Sequence, residues 1–323
     1  RRSSSTSSAA ATTTTRSTRS KSKILYVVRH GQAVHNPRAE AAKEQGCSME
    51  EFFRLMREDD ALDADLTDLG RDQARKCREA HFLPSNGNGN DNGNGNDGND
   101  IDDEPQEQPP NPLGIDLVVA SCLSRTIDTA DLVFPPHIVF RAQQGDGDSN
   151  NDSNNDNDNH HRSNYRAPRR VSIEDFREVN GNLLNGKRRT KSELLERHPH
   201  WNFDSLVTEE DETWTPEMED FGDAAERGYR SLVGLLEMDT ARDKDNINTI
   251  LLVCHGGILR YLMNIHPLVK LRDERTSGES ERKAVESRFD NCELRKYRLS
   301  WSDNDEQERS SERRAIVLTQ LDH

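Results

Sequence analysis

Short apolar runs bounded by polar residues recur along the chain and predict buried β-strands. Residues 24–28 are all apolar, and 249–254 are apolar after a leading threonine. Unbroken runs of this length, rich in β-branched residues, suit strands that are buried on both faces of a parallel sheet. The predicted strands cover 24–28, 115–120, 137–140, 249–254, 292–299 and 315–321.

Helical spacing of apolar residues occurs between these strands. Thr67 is placed as an N-cap before a helix in which Leu69 and Cys77 share one side. Further helices are predicted to start near residue 124, to cover 216–238, and to run from 255 to 262. Strands that alternate with helices predict an α/β fold, a three-layer α/β/α sandwich around a mostly parallel central sheet.

One more helix is predicted after Ser48, where Ser48-Met49-Glu50-Glu51 has the pattern of a capping box. The apolar residues of this short amphipathic helix are Phe52, Phe53, Leu55 and Met56. We expect the helix to pack on the domain. A second interpretation makes it a lid near Arg29.

Three segments interrupt the alternation with compositions typical of disorder. Residues 1–23 form a Ser/Thr/Ala-rich tail with six basic and no acidic residues, 85–112 an Asn/Gly/Asp tract, and 145–168 an Asn/Asp-rich tract. They hold too little apolar surface to offset the entropy of ordering. We therefore predict one domain at 24–323 with two low-complexity inserts. The stretch 171–222, rich in charge, aromatics and turn residues, is predicted to be a small cap over the carboxyl end of the sheet.

The net charge of −15 belongs partly to the two inserts, which contain twelve acidic residues. The core has no basic stripe and the basic tail lacks interleaved aromatics, so no nucleic-acid partner is predicted. No apolar run approaches the length of a transmembrane helix, so no membrane association is predicted. Five widely spaced cysteines favour a reducing compartment over a disulfide framework, and no Cys/His spacing predicts a metal site.

The tail bears on localisation. Its acid-free, Ser- and Arg-rich composition is typical of an organelle transit peptide remnant, and equally of a plain disordered arm. The second interpretation predicts a cytoplasmic protein, and the first an organelle lumen or stroma.

Polar side chains follow three of the predicted strands. Arg29 and His30 end the first, Arg125 follows the second, and His255 follows the strand at 249–254. Ligands bind at the carboxyl ends of strands in open α/β sheets. Two guanidinium groups can grip a tetrahedral anion through paired hydrogen bonds. A neutral imidazole can attack phosphorus while the other donors stabilise charge, and this chemistry needs no metal.

Four motifs occur in one order along the core. They are Arg29-His30-Gly31-Gln32 followed by Asn36; Asp65-Leu66-Thr67-Asp68-Leu69-Gly70-Arg71-Asp72-Gln73-Ala74; Leu123-Ser124-Arg125 followed by Thr129-Ala130; and Val253-Cys254-His255-Gly256-Gly257. Together they resemble the histidine phosphatase superfamily, which includes the phosphoglycerate mutase-like enzymes.

The resemblance implies a phosphomonoesterase that needs neither a metal nor a cofactor. By it, His30 is the nucleophile and carries the phosphoryl group in a phosphohistidine intermediate. Arg29, Arg125 and His255 form the phosphate pocket, and Asn36 assists them. His255 also takes part in catalysis by stabilising charge.

The family also carries an acid on its cap, often in a Leu-x-Glu-like stretch. Glu178, in Phe176-Arg177-Glu178, stands at the matching position, with Phe176 in place of Leu. The implied role is to protonate the leaving oxygen and then to activate water. Glu174 and Asp175 are neighbouring acids and are alternative candidates.

Two other assignments have a second interpretation, and one residue departs from the family pattern. Asn36 could cap a turn instead of assisting phosphate binding. Lys187-Arg188-Arg189 could bind a second anionic group of the substrate, although a solvated charge run accounts for it as well. Cys122 stands where relatives often have Pro, which is a departure in the loop that carries Arg125.

A cysteine-dependent mechanism competes with the histidine one. The stretch 254–260 fits C-x-x-G-x-x-R, the loop in which a thiolate at a helix N-terminus attacks phosphorus. Val253 replaces the usual histidine before that cysteine, and Tyr261 the usual hydroxyl residue after the arginine. Arg29 and His30 would have no role in such a mechanism, so the histidine mechanism is preferred.

Two further functions remain open. A phosphoglycerate-type mutase would return the phosphoryl group to its substrate, but Gln32 stands where mutases typically carry Glu, which favours hydrolysis. A catalytically silent member would bind a phosphorylated ligand, with the acidic inserts as interaction arms. The expected partner is a small phosphorylated substrate or a phosphopeptide, and the sequence predicts no particular oligomeric state.

Overall fold

A computed structural model of the chain describes residues 22–83, 113–136, 140–141, 165–238, 247–274, 288–302 and 313–321. The predicted insert at 85–112 lies outside these residues. So do residues 1–21 of the predicted tail and 142–164, which include most of the second insert.

A seven-stranded sheet forms the centre of the fold, with order β5-β2-β6-β1-β8-β9-β7. A separate sheet pairs β3 with β4. Of the seven central strands, β8 alone runs against its neighbours, so the predicted mostly parallel sheet is confirmed. The strands are β1 (Ser22–Arg29), β2 (Leu117–Ala120), β3 (Phe140–Arg141), β4 (Tyr165–Arg166), β5 (Arg169–Ser172), β6 (Thr249–Cys254), β7 (Val269–Asp273), β8 (Leu294–Trp301) and β9 (Ile316–Gln320).

Helices cover both faces of this sheet. They are α1 (Pro37–Glu44), α2 (Met49–Glu58), α3 (Asp68–His81), α4 (Ser124–Val133), α5 (Lys191–Arg197), α6 (Phe221–Glu237) and α7 (Gly256–Ile265). Successive strand residues point to opposite faces. In β1, Leu25 and Val27 join a core with α6 and α7, whereas Tyr26 and Val28 join a core with α3 and α4. The fold is therefore the expected three-layer α/β/α sandwich.

Two strands of the central sheet escaped prediction. In β5, Arg170 and Ser172 are polar and yet buried, so no apolar run marks the strand. The guanidinium of Arg170 is paired with Asp131 at 3.1 Å, which is why an arginine is tolerated there. The edge strand β7 has only one buried residue, Val269.

The predicted strand at 137–140 does not join the central sheet in the described part of the chain. Residues 137–139 lie outside that part, and Phe140–Arg141 pairs with Tyr165–Arg166 in the separate two-stranded sheet. The end of the predicted second insert, 165–168, is thus described and contributes a short strand.

Several predicted boundaries shift for local reasons. The strand β1 begins at Ser22, because Lys23 donates from Nζ to the carbonyls of Met238 at 2.8 Å and Ile247 at 2.9 Å. The first residues of the predicted cap at 171–222 belong to β5. The remainder of the cap, through residue 220, holds two short 3₁₀ turns and α5.

Other shifts lie near the end of the chain. The strand expected from Cys292 starts at Leu294, because Cys292 has a φ of 57° in the left-handed region and lies in a turn. The helix expected over 216–238 starts at Phe221, where the Asp220 side chain accepts from the N–H of Gly222 and caps it. No helix in the described part of the chain combines the length and apolarity needed to cross a membrane.

Candidate active site

The carboxyl ends of three adjacent parallel strands lie at one edge of the sheet, and polar residues follow each of them. Arg29 at the end of β1 lies beside Cys254 at the end of β6, and β2 flanks β6 on the other side. The N–H of His30 donates to the Cys254 carbonyl at 3.0 Å, which extends the pairing by one residue. The structure thus brings together the predicted residues Arg29, His30, Arg125 and His255.

The imidazole of His30 is 3% exposed and is held through both ring nitrogens. Its Nδ1 lies 2.6 Å from the Gly31 carbonyl, which can only accept, so Nδ1 carries the proton. The Nε2 therefore has the lone pair, and the Nε–H of Arg125 points to it from 3.4 Å. Burial, and then the charges of Arg125 and Arg29, hold the pKa of His30 well below its usual value. The ring is therefore neutral at neutral pH, as a nucleophile must be.

Arg125, in the first turn of α4, is fully buried and is anchored from the cap. One of its terminal N–H groups donates to the Asn185 carbonyl at 2.7 Å. Next to it, Asp63 accepts from the N–H of Ser124 at 2.8 Å and from the Ser124 hydroxyl at 2.6 Å. Burial raises the pKa of Asp63 and is opposed by these two hydrogen bonds. Asp63 thereby fixes the start of the helix that carries Arg125.

His255 packs edge-to-face against His30, with ring centroids 5.0 Å apart, and it is fully buried behind the residues that line the cavity. Its Nε2 lies 2.8 Å from the Ser121 hydroxyl, and its buried Nδ1 has no hydrogen-bond partner in the described residues. Burial, with Arg125 nearby, lowers the pKa of this ring well below its ordinary range. If the hydroxyl donates to Nε2, Nδ1 carries the proton and is a free buried donor.

Arg29 is fixed from two sides. Its guanidinium donates to the Phe289 carbonyl at 3.0 Å and pairs with Glu40 at 3.0 Å, while its Nε is buried without a partner in the described residues. His35 is also buried and lines the same cavity. Burial and the charges of Arg125 and Arg29 hold its pKa well below the usual value.

Asn36 closes the turn that follows the first motif, and both interpretations of it find support in the geometry. Its Oδ1 accepts from the N–H of Ala33 at 3.0 Å, and its residue lines the cavity. Gln32 is engaged elsewhere, because its Oε1 accepts from the Thr67 hydroxyl at 3.1 Å.

Glu178 lies at the N-terminus of α7, beside His255. Its Oε1 accepts from the N–H groups of Ile258 and Val179, both at 2.9 Å, and its Oε2 accepts from Gly257 at 3.1 Å. Arg227 of α6 supports this loop, with a terminal N–H donating to the Glu178 carbonyl at 2.8 Å. One lone pair of Oε2 has no partner in the described residues.

The neighbouring acids occupy other places. Glu174 pairs with Arg188 at 3.1 Å, and Asp175 is paired with Arg230 at 3.5 Å on the surface. Glu178 lines the cavity, whereas neither of these residues does. The geometry therefore favours Glu178 over both alternatives.

The basic run at 187–189 is neither a solvated run nor an anion site. Arg188 is buried, and its guanidinium donates to the carbonyls of Thr208, Glu209 and Glu210. Arg189 lies 3.5 Å from Asp63, and Lys187 lies over the ring of Trp214. Arg188 thus ties parts of the cap together, Arg189 links the cap to Asp63, and none of the three residues lines the cavity.

Cys254 belongs to the core and not to the site. Its side chain lies among the apolar residues packed against α6 and α7 and is fully buried. Burial raises the pKa of this thiol far above its ordinary value, which disfavours the thiolate. Cys122 is buried as well, and its pKa is raised to about 12 by burial.

A cavity of about 950 Å³ opens above these groups. The cationic and imidazole groups Arg29, His30, His35 and Arg125 line its base together with Glu178. Its remaining lining comes from α1, α2, the start of α3, the cap, the starts of α6 and α7, and residues 288–291. The helix α2 packs against α1, in agreement with the expectation that it packs on the domain, and it also lines the cavity near Arg29. Its action as a lid stays a prediction.

Sequence reasoning missed His35, Asp63 and Ser121. His35 lies in the same loop as His30, so its proximity in sequence was a signal that could have been used. Asp63 hydrogen-bonds with Ser124, and Ser121 with His255. Only the fold brings these pairs together. A lone Asp or Ser carries no such information in one sequence.

Comparisons with known proteins give a structural likeness only. No family model matches the chain, and no curated protein matches it in sequence. Among solved structures, a mycobacterial glucosyl-3-phosphoglycerate phosphatase is 18% identical, with a TM-score of 0.39, and the match covers 92% of this chain and 96% of that one.

Two further structures are similar to the same degree. "Mycobacterial hydrolase 2" is 20% identical with a TM-score of 0.40, and the match covers 92% of this chain and 89% of that one. The alpha-ribazole phosphatase from Shigella flexneri is 16% identical with a TM-score of 0.39, over 85% of this chain and 89% of that one. Similarity of this degree does not identify an activity or a substrate.

Proposed function

We propose that this chain is a phosphatase of the histidine phosphatase type, which hydrolyses a phosphomonoester through a phosphohistidine on His30. The observation that carries the proposal is the setting of His30. Its ring is neutral, its Nδ1 is anchored on Gly31, its Nε2 carries the lone pair beside the Nε–H of Arg125, and His30 lines a cavity together with Arg29 and Arg125. This arrangement can bind a phosphate dianion through the two guanidinium groups and place a nucleophilic nitrogen next to its phosphorus atom.

In the first step the Nε2 lone pair of His30 attacks phosphorus. The bond from phosphorus to the ester oxygen breaks, and that oxygen takes a proton from Glu178. The phosphoryl group then resides on Nε2, while the Nδ1–H stays on the Gly31 carbonyl at 2.6 Å. That hydrogen bond disperses the positive charge that the ring acquires.

In the second step Glu178 acts as a base. Its carboxylate takes a proton from water, the water oxygen attacks phosphorus, and the bond to Nε2 breaks to release phosphate. Both lone pairs of Oε1 are engaged by backbone N–H groups, so the Oε2 lone pair is the one that would carry the proton. His30 returns to its neutral form, and the acid is regenerated.

Charge on the transferring group is stabilised by fixed donors. Arg29 and Arg125 would hold the equatorial oxygens, with Asn36 at the rim. His255 would donate from Nδ1, the nitrogen that has no partner in the described residues. Because these donors are already oriented, little reorganisation accompanies the reaction.

The proposal is tested by trapping the phosphoenzyme. Wild-type protein mixed with a ³²P-labelled aryl phosphate and quenched in alkali should retain label that is acid-labile and alkali-stable, as phosphohistidine is. His30→Ala should abolish both labelling and turnover. Cys254→Ser is the matched control and should retain most activity, because Cys254 only packs in the core.

Opposite behaviour of the two variants would overturn the proposal. A Cys254→Ser protein that no longer accepts phosphate, beside a His30→Ala protein that does, would assign the chemistry to the thiol. Labelling without release of inorganic phosphate, and with transfer to an acceptor alcohol, would indicate a mutase.

A further inference from the structure

The cavity above His30 is far larger than a phosphoryl group requires, and one of its walls is apolar. The helix α2 turns Met49, Phe52, Phe53 and Met56 into the cavity, and Leu69 of α3 lies beside them. None of the five belongs to either core around the central sheet. Met49 and Leu69 are 56% and 51% exposed, while Phe52, Phe53 and Met56 are half-buried, with the Lys43 ammonium over the Phe52 ring.

The facing wall is apolar as well. It is formed by Leu183 and Met218 of the cap together with Phe221 and Tyr261. The rings of Phe221 and Tyr261 are stacked, with centroids 4.2 Å apart and planes inclined by 7°. Met218 is 42% exposed and Phe221 is 39% exposed, although both face the cavity. Apolar side chains left open to a concave site mark ligand contact.

Positive charge in the cavity gathers on the side of Arg29. Burial, and then the charges of Arg288, Arg260 and Arg29, lower the pKa of Lys43, so these basic groups lie near one another. The acidic residues that line the cavity beside them are Glu40, which pairs with Arg29, Glu44 and Asp290. One end of the occupant is therefore anionic, and the part that lies between the walls is apolar.

We propose that the substrate is the phosphomonoester of a bulky apolar alcohol, whose carbon body lies between the α2 wall and the cap wall while its phosphoryl group sits at His30. The inference rests on the proposed function for the phosphoryl end. It adds the chemical class of the leaving group. Burying such a body against both walls supplies binding that a small sugar-acid phosphate cannot obtain.

An alkyl phosphate series tests this proposal with leaving groups of nearly equal chemical reactivity. We expect kcat/KM to rise about twofold per methylene from ethyl to octyl phosphate, or about 60-fold in all. A twofold step per methylene corresponds to half the transfer free energy of a fully buried methylene, since the cavity is open on one side. All esters are used below their micelle-forming concentrations.

Substitutions in the two walls should weaken the rise of kcat/KM with alkyl chain length. Phe53→Ala and Met218→Ala are each expected to lower the octyl-to-ethyl ratio of kcat/KM about fivefold. Leu195→Ala is the matched control, because Leu195 is an exposed apolar residue of α5 that does not line the cavity. A ratio of two substrates on one preparation is unaffected by a loss of folded protein.

Binding of non-hydrolysable alkylphosphonates, measured by calorimetry, separates this inference from the proposed function. Hydrolysis of every ester at one rate, with phosphonate affinities independent of length, overturns the apolar site and leaves the phosphatase intact. Absence of hydrolysis with affinities that rise with length overturns the phosphatase proposal and retains the apolar site. Absence of both overturns the two together.

Discussion

His30 and His255 differ in the groups that contact their ring nitrogens, and this difference suits them to the separate roles proposed above. The Nδ1 of His30 is anchored on a carbonyl, so its Nε2 is the basic nitrogen. The Nε2 of His255 meets a hydroxyl, and its Nδ1 is left over. A carbonyl fixes a tautomer because it cannot donate, whereas a hydroxyl allows either. The local partners thus suit one ring to attack and the other to donate.

At the scale of single residues, Glu178→Gln should slow the hydrolysis of esters with poor leaving groups much more than that of activated esters. An alkoxide needs a proton as it departs, whereas p-nitrophenolate does not. We expect kcat to fall about 10²- to 10³-fold for octyl phosphate and less than about tenfold for p-nitrophenyl phosphate. Steady-state rates with the two esters provide the measurement.

Glu174→Gln is the control for this substitution, because Glu174 pairs with Arg188 and does not line the cavity. It should slow both esters equally, if at all. Equal slowing by Glu178→Gln would instead assign Glu178 to capping α7, where it accepts from Gly257 and Ile258.

The sequence was sufficient to find the residues at strand ends but not the residues that position them. His30, Arg125 and His255 follow apolar runs, and the rule that strand ends meet at one edge brings them together. Asp63 acts on Arg125 through Ser124, which is 61 residues away. Such a pairing exists only once the chain has folded.

At the scale of elements, the loop after β1 lies directly against the start of α3. A Cβ on Gly70 would come within 2.1 Å of the Gln32 carbonyl oxygen, and a Cβ on Gly31 within 2.4 Å of the Gly70 oxygen. Both contacts are with backbone, which cannot rotate away. Glycine at these two positions allows α3 to approach the loop that carries His30.

Gly70→Ala should therefore move that loop and lower activity. A displacement of about 1 Å in a catalytic loop costs about 10²-fold in rate, and we expect kcat/KM to fall by that much. Stability should fall by about 1–3 kcal/mol, as for other overpacked sites. Kinetics and denaturant unfolding of the same preparation measure the two effects.

Gly234→Ala is the matched control, since Gly234 lies on the exposed side of α6 with no atom within 4 Å of an added Cβ. Replacing a helical glycine there should stabilise the protein by about 0.5–1 kcal/mol and leave kcat/KM unchanged. Unchanged activity in Gly70→Ala would refute the importance of this contact.

Element prediction succeeded where apolar patterning was continuous. The strand at 249–254 was predicted with its observed bounds, and β1 was found to within two residues. Prediction failed for β5, whose buried arginine is satisfied by a partner on another element, and for α1, which has little amphipathic pattern. Both failures come from tertiary contacts that replace local signals.

At the scale of the whole molecule, three buried neutral histidines link stability to pH. Burial holds the pKa values of His30, His35 and His255 well below that of an unfolded histidine, near 6.5. Below pH 6.5 the unfolded chain binds protons that the folded chain does not, so stability falls as the pH falls. The stability that the neutral histidines contribute is fully present above pH 6.5.

His35→Gln isolates one of these contributions. Between pH 6.5 and 5.5 the wild type should lose up to about 1 kcal/mol more stability than the variant, and between pH 8.0 and 7.5 their difference should stay constant. Urea unfolding at each pH is the measurement. Asp128, whose pKa burial raises to about 6, works in the opposite direction in both proteins and cancels in the difference.

The outcome is read from the difference in unfolding free energy between the wild type and His35→Gln. If this difference does not change between pH 6.5 and 5.5, His35 is protonated equally in the folded and unfolded states. A difference that changes in the opposite sense would mean that the pKa of His35 is raised in the folded state, as acids such as Glu40 and Glu178, which line the same cavity, would raise it.

The place of β1 in the sheet also governs when the site can form during synthesis. Ile24 pairs with Thr249 on one side and with Arg298 on the other, so both neighbours of β1 are encoded more than two hundred residues later. Ribosomes add about 5–20 residues per second, so β1 waits at least about 10 s for its first neighbour. Among the described strands of the central sheet, β1, which leads directly to His30, is thus made first and waits for both of its neighbours. Folding of the site is a late event with high contact order, and slow folding is its expected consequence.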